Sequence, residues 1–384
     1  MGAKPPVPVE AVQQENLVGA VQTVLGSVDP DSLGVVLPHE HLLCDLSAYF
    51  LEPSEPGKKA AAYEPVSLNN LFRVRRDYFE NKDNLDLGDV ILATEEAREF
   101  KQAGGGTIVE LSNVGLGRDP AGLVQIARAT GLNLVMGCGY YIGVSHPADV
   151  ARKTVRQIAE EMIRDVLVGV ADSGIRSGII GEIGCSDPLE AGERKVLQAA
   201  ALAQRCTGAA LNVHPSPFND GLALEIVGIL GEAGADLDRV VFSHCDQWCY
   251  SLETRRRIAD AGCYIEHDTL GFQADMEFSF GKWRDLPSDA QRLNDIKRLI
   301  DDGYLGRLLI SHDNCTKHRL RSFGGWGYAH ILENLLPVMY SKGFTEEHVH
   351  TLTIENPRDV LTFVPAKERP RDQAGAVRED GSDA

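Results

Sequence analysis

Six side chains of this 384-residue sequence combine metal-competent chemistry with informative positions: His39, His41, Glu182, His214, His244 and Asp313. Imidazole nitrogens and carboxylate oxygens are the ligand types that Zn2+, or a similar ion such as Mn, Co or Fe, takes up. His39 and His41 are two apart, so an extended strand puts both rings on one face while Glu40 points away. His214 ends the apolar run Ala210-Leu211-Asn212-Val213, and His244 ends Val240-Val241-Phe242-Ser243. Glu182 ends Gly178-Ile179-Ile180-Gly181, and Asp313 ends Leu308-Leu309-Ile310-Ser311-His312. Each residue alone has an ordinary structural reading. A single His at a strand end more often hydrogen-bonds within the fold than ligates, and a single Asp or Glu more often caps a helix or pairs with a cation. Two imidazoles on one strand face are harder to place in a core. All six falling at strand ends together favours a dinuclear site for two divalent metal ions, with Zn2+ the leading candidate.

The elements that must position these residues are short β-rich runs alternating with helical sequence. The runs are 34–41, 107–112, 132–140, 177–183, 210–214, 240–244, 263–268 and 308–313. Glu193 to Cys206 is Ala/Leu-rich and free of breakers, as a helix requires. Asn356-Pro357 reads as an N-cap followed by Pro at the first helical position. Eight βα units predict an α/β fold, a single (β/α)8 TIM-type barrel with its site at the C-terminal ends of the strands. A doubly wound open sheet is the alternative. Its glycine fingerprint is missing, since Gly115-Leu116-Gly117-Arg118-Asp119-Pro120 lacks the third Gly. The expected organisation is a flexible tail over 1–18, the barrel over 19–365 and a second tail over 366–384.

Composition narrows the partners. With 38 Lys+Arg against 56 Asp+Glu the net charge is −18, which argues against nucleic acid. No apolar stretch of about 18 residues suggests a membrane span. The start lacks an apolar h-region, and Pro6 stands where a myristoylation motif wants Ser or Thr. The eight Cys form no C-x2-C pair, so reduced, packed thiols in a cytoplasmic protein are expected. Neither a G-x-S-x-G elbow nor a phosphate loop is present.

Residues 314–332 hold Lys317, His318, Arg319 and Arg321 with no acid near them until the next helix, a basic island in an acidic chain. A solvated loop paired with the acidic body is the plain reading. Recognition of an anionic small-molecule substrate by Lys317, Arg319 and Arg321 is the functional one. Tyr140, Tyr141 and Trp326 are candidate pocket walls, and Arg118-Asp119 reads as a structural ion pair.

The motifs Pro38-His39-Glu40-His41, Gly181-Glu182-Ile183-Gly184, Val213-His214, Ser243-His244, His312-Asp313 and Glu355-Asn356-Pro357-Arg358 resemble the phosphotriesterase family of the amidohydrolase superfamily. The run 185–204 and the loop Gly324-Gly325-Trp326-Gly327-Tyr328 are similar to its phosphotriesterase-related branch. The resemblance covers about residues 20 to 364. It implies that His39, His41 and Asp313 hold the buried metal and that His214 and His244 hold the exposed one. Glu182 and a hydroxide would bridge them, with Asp313 as proton acceptor and catalytic residue. Glu stands where many relatives have a carboxylated Lys. Relatives that extend the proton relay do so through a His or Arg where this chain has Thr269. The implied activity is hydrolysis of a carbonyl C–N or C–O bond, foremost an amide of a small N-acyl amino acid or an N-acetyltaurine-like anion. The alternatives are a lactonase or carboxylesterase with promiscuous phosphotriesterase activity, and a non-enzymatic binding protein that keeps the barrel. A homodimer fits the family.

Overall fold

The Val-, Ile- and Leu-rich runs form eight parallel strands in the computed structural model, which describes residues 17–216, 219–246, 250–272, 276–279 and 282–367. They are β1 (Val35–Glu40), β2 (Gly105–Glu110), β3 (Asn133–Cys138), β4 (Ile179–Cys185), β5 (Ala210–Pro215), β6 (Val240–Phe242), β7 (Tyr264–His267) and β8 (Leu308–Ile310). Each pairs in parallel with its sequence neighbour. The ring closes where Asp313 N–H donates to the His39 carbonyl (3.2 Å) and the Ser311 hydroxyl donates to the same oxygen (2.8 Å). The result is the expected (β/α)8 barrel.

Helices alternate with the strands: α1 (Val90–Gln102), α2 (Pro120–Thr130), α3 (Val155–Leu167), α4 (Ala191–Thr207), α5 (Asp220–Glu232), α6 (Leu252–Asp260), α7 (Asp289–Asp301) and, after β8 and its long connection, α8 (Asn356–Leu361). Asp89, Asp119, Thr154 and Ser288 begin α1, α2, α3 and α7 by accepting first-turn N–H groups. The helix expected over 193–206 is α4, which Gly208 ends in a left-handed turn. A Cβ at Gly208 would meet the Val364 carbonyl at 1.8 Å, so both conformation and space demand glycine. No helix among the described residues is long and apolar enough to cross a membrane.

Two hydrophobic layers result. Val36, Val109, Val135, Ile179, Val241 and Leu309 fill the lower barrel, while Leu37, Ile108, Leu134, Ile180, Leu211 and Phe242 face the helices. Strict alternation would then send His39 outward with Leu37, and Glu182 outward with Ile180. Register irregularities between Leu37 and Glu40 in β1 and between Ile180 and Ile183 in β4 change the phase, and both polar groups turn inward.

Three local expectations are corrected. The ladders of β6 and β8 stop at Phe242 and Ile310, before the expected ends at 244 and 313. His244 (φ 57°) and Asp313 (φ 52°) are left-handed, a conformation that a strand cannot contain. Arg118 pairs with Asp165 (2.8 Å) rather than with Asp119, which caps α2. Asn356 caps nothing, because helical turns precede it. Its amide donates to the Leu305 and Leu308 carbonyls, both at 2.8 Å. Asn356→Ala is therefore expected to strand the buried Leu308 carbonyl and the partly buried Leu305 carbonyl. A loss of about 2–4 kcal/mol should appear as a lower urea midpoint with an unchanged slope.

The expected tails lie almost wholly outside the described residues. At the expected boundaries Leu17 is buried and Lys367 pairs with Asp236 at 2.9 Å.

Candidate metal centre

All six residues read from the sequence meet at the C-terminal mouth of the barrel. β1 contributes His39, the residue just past its end is His41, and the turns after β6 and β8 contribute His244 and Asp313. Glu182 from β4 sits at the centre. Its Oε2 lies 2.9 Å from His214 Nδ1, 3.6 Å from His39 Nε2 and 3.7 Å from His244 Nε2, and its Oε1 lies 3.4 Å from His41 Nε2. Asp313 Oδ1 lies 3.2 Å from His41 Nε2 and 3.8 Å from His39 Nε2. His214 Nδ1 and His244 Nε2 approach to 2.7 Å.

Two overlapping groups, His39–His41–Asp313 and His39–Glu182–His244, bring their ligand atoms within 4.8 Å of one another. His39 Nε2 is fully buried, faces both carboxylates and has no hydrogen-bond partner. An unpartnered imidazole nitrogen aimed at two carboxylates is costly unless a cation accepts its lone pair. The donor set fits borderline divalent ions.

The electrostatics point the same way. Burial opposes charge on every member. Burial alone would raise the Glu182 carboxyl, yet His214, His244 and His41 hold it well below the carboxylate range. Burial disfavours a charged His39, yet Asp268, Glu266 and Glu182 raise its proton affinity well above that of an ordinary imidazole. The same contest, with Asp268 the main opponent of burial, raises His244 to about 10. The carboxylates thus create a strong demand for positive charge.

The surrounding residues were less visible in the sequence. Asp268 accepts from His244 Nδ1 (3.0 Å) and from the His244 backbone N–H, and its Oδ2 lies 3.0 Å from His39 Nδ1. Glu266 lies 3.2 Å from His39 Nδ1 and accepts from the Asn212 amide (3.1 Å) and the Ser243 hydroxyl (3.0 Å). Ser112 Oγ is 2.9 Å from His41 Nδ1. These partners leave the opposite ring nitrogens facing the centre. The available signal was the i, i+2 spacing of Glu266 and Asp268, which mirrors His39 and His41 on β1. His267 between them is buried on the other face, and burial holds its imidazole well below its usual pKa.

Of the candidate substrate contacts, Tyr141 lies at the centre. Its hydroxyl is 3.3 Å from His214 Nε2 and donates to Tyr49 Oη at 3.2 Å. Tyr49 in turn stacks on Phe79, and Tyr140 bonds instead to Glu161. Trp326 is half exposed and stacks on His330, ring centroids 4.7 Å apart.

The cations of the basic loop are engaged by the fold. Lys317 pairs with Asp83 (2.6 Å), and Arg321 pairs with Glu99 (2.9 Å) and Glu333 (3.3 Å). Arg319 is buried and donates to the carbonyls of His312 (2.6 Å), Asp313 (2.5 Å) and Leu270 (3.3 Å). The His318 N–H donates to Asn84 Oδ1 (2.9 Å), and burial lowers its imidazole to about 3. Asp83 and Asn84 belong to the long connection after β1, so the loops after the first and last strands are fastened together.

A family model described as the phosphotriesterase family matches residues 19–361. The N-acetyltaurine hydrolase of Xenopus tropicalis is 41% identical over 350 residues, which span 91% of this chain and 99% of that protein. That of Rattus norvegicus is 39% identical over 349 residues, with the same shares. Among solved structures, a resiniferatoxin-binding protein from Rhodobacter sphaeroides aligns with a TM-score of 0.85 and 36% identity, covering 89% of this chain and 95% of that one. A barrel with four histidines and two carboxylates converging at its mouth, matched along nearly its whole length, places the chain in the phosphotriesterase family.

Proposed function

We propose that this protein is a metal-dependent hydrolase of a small amide, an N-acyl amino acid or an N-acetyltaurine-like anion. The observation that carries the reading is the buried, unpartnered His39 Nε2 facing Glu182 and Asp313 among three further imidazoles. The relatives named N-acetyltaurine hydrolase support the amide class.

In this reading His39, His41, Asp313 and Glu182 would hold one divalent ion, and His214, His244 and Glu182 would hold a second. Paired ions of this kind, Zn2+ foremost, lower the pKa of bound water and polarise a carbonyl oxygen. The protein's own contributions are distinct. Asp268, Glu266 and Ser112 fix which nitrogen of each β1 and β6 ligand faces inward. Asp313 is the least buried of these site carboxylates, with 12% of its side chain exposed against 2% for Glu182 and none for Asp268. It is therefore placed to take a proton at a carboxylate oxygen and to return it to a leaving nitrogen. Tyr141 and Tyr49 line the His214 side.

The test is metal content together with turnover on N-acetyltaurine, N-acetylated amino acids, lactones and an aryl phosphotriester. About two ions per chain with preferential amide cleavage is expected. Faster lactone cleavage would favour the esterase alternative, and absence of both metal and turnover would favour the binding-protein alternative. Because Glu182 supplies its carboxylate without carboxylation, reconstitution should reach the same activity with and without bicarbonate. A bicarbonate requirement would contradict this ligand assignment. The free state of the seven described cysteines suits a reducing cytoplasm.

A further inference from the structure

Asp313 reaches the centre from a backbone turn that an aspartate rarely adopts unaided, with φ at 52°. The peptide groups around it are held from two sides. On one side the His312 N–H donates to Glu40 Oε1 (2.9 Å) and the Asn314 N–H to Glu40 Oε2 (3.0 Å). The Asp313 N–H between them donates to the His39 carbonyl (3.2 Å). Glu40 Oε1 also accepts from His312 Nδ1 (2.7 Å) and lies 2.9 Å from Ser311 Oγ. On the other side the Arg319 guanidinium donates through separate nitrogens to the His312 and Asp313 carbonyls.

We propose that Glu40 and Arg319 are positioning residues that clamp the 312–314 backbone and so hold the Asp313 carboxylate toward His39 and His41. A carboxylate only accepts and a guanidinium only donates. Acting on one turn, they engage its N–H and C=O groups separately. Both charges are buried, Glu40 completely and Arg319 to 5% exposure, so each needs these partners. The planar fork of Arg spans two successive carbonyls, which the point charge of Lys does not. Glu40 lies between two ligand histidines, so β1 both supplies ligands and fixes the one arriving from β8. The clamp's effect on metal binding rests on the function proposed above, whereas its effect on the backbone does not.

Two measurements separate these layers. Glu40→Gln keeps shape but turns an amide donor toward N–H groups, and Arg319→Lys keeps charge but loses the fork. Without added metal, amide hydrogen exchange at His312 and Asn314 should accelerate at least about tenfold in Glu40→Gln, while Ile265 and Leu309 stay protected. Unchanged exchange at 312 and 314 would overturn the clamp whatever the metal result. Metal affinity by chelator competition should fall about 10–100-fold in either variant. It should fall no further when Glu40→Gln is added to Asp313→Ala, since the clamp then has no ligand to place. An equal additional loss in the Asp313→Ala background would overturn the positioning role. If the wild type binds no metal, the function proposed above fails, and the exchange result still decides the clamp.

Discussion

Glu182→Ala is expected to lower turnover by at least about 10³-fold and to take most of the bound metal with it. Four imidazole nitrogens from β1, β5 and the turn after β6 lie within 3.7 Å of this one carboxylate. Removing it leaves Asp313 as the sole carboxylate inside the ring of ligands, so two dications would face one negative charge in place of two. The remaining nitrogens would also lose their shared acceptor, with His214 and His244 already 2.7 Å apart. Metal content and kcat/KM should therefore fall together, while far-UV circular dichroism of the barrel is retained. Full turnover with metal lost, or full metal with turnover lost only slightly, would each place the chemistry elsewhere.

Asp268→Asn is the second large effect, expected at about 10²-fold or more in kcat or about 10–100-fold in metal affinity. The substitution preserves volume and changes what the group offers. Asp268 takes the ring hydrogen of His244, and its second oxygen lies 3.0 Å from His39 Nδ1. Asn has one acceptor oxygen, and its amide must face one of the two rings as a donor. That ring then favours the other tautomer, with hydrogen on the nitrogen that should face inward. Both histidines are ligands in the proposed site, so the change reaches both ions. Thermal unfolding should shift by much less than activity. A parallel collapse of stability would make Asp268 a structural residue.

The barrel was legible because eight apolar runs, each followed by helical sequence, admit few other solutions. The six central residues were legible because they fall at or near the ends of five of those runs. Phase was not. Alternation counted from Val36 or Ile179 places His39 and Glu182 on the wrong face, and only the register irregularities restore them. The left-handed turns at His244 and Asp313 were equally hidden, since neither residue type announces such a turn. Arg319 shows the limit of reading charge from composition. In sequence it belongs to a basic loop suited to an anion, and in the fold its fork is consumed by three carbonyls. Asp268 and Glu266 were visible as residues, but their task depends on which histidines the closed barrel brings against them.

The fastening of Lys317 to Asp83 and of His318 to Asn84 has a bearing on how this mouth can diversify. Loops at the end of a barrel are usually treated as interchangeable parts, each open to replacement without regard to its neighbours. Here the first and last of them share a lock. A graft of either alone would strand a lysine or leave a buried neutral histidine facing no amide. Changes of specificity through these loops should therefore arise as compensated pairs, and libraries that vary positions 83–84 and 317–318 jointly should yield more folded variants than libraries that vary either pair alone.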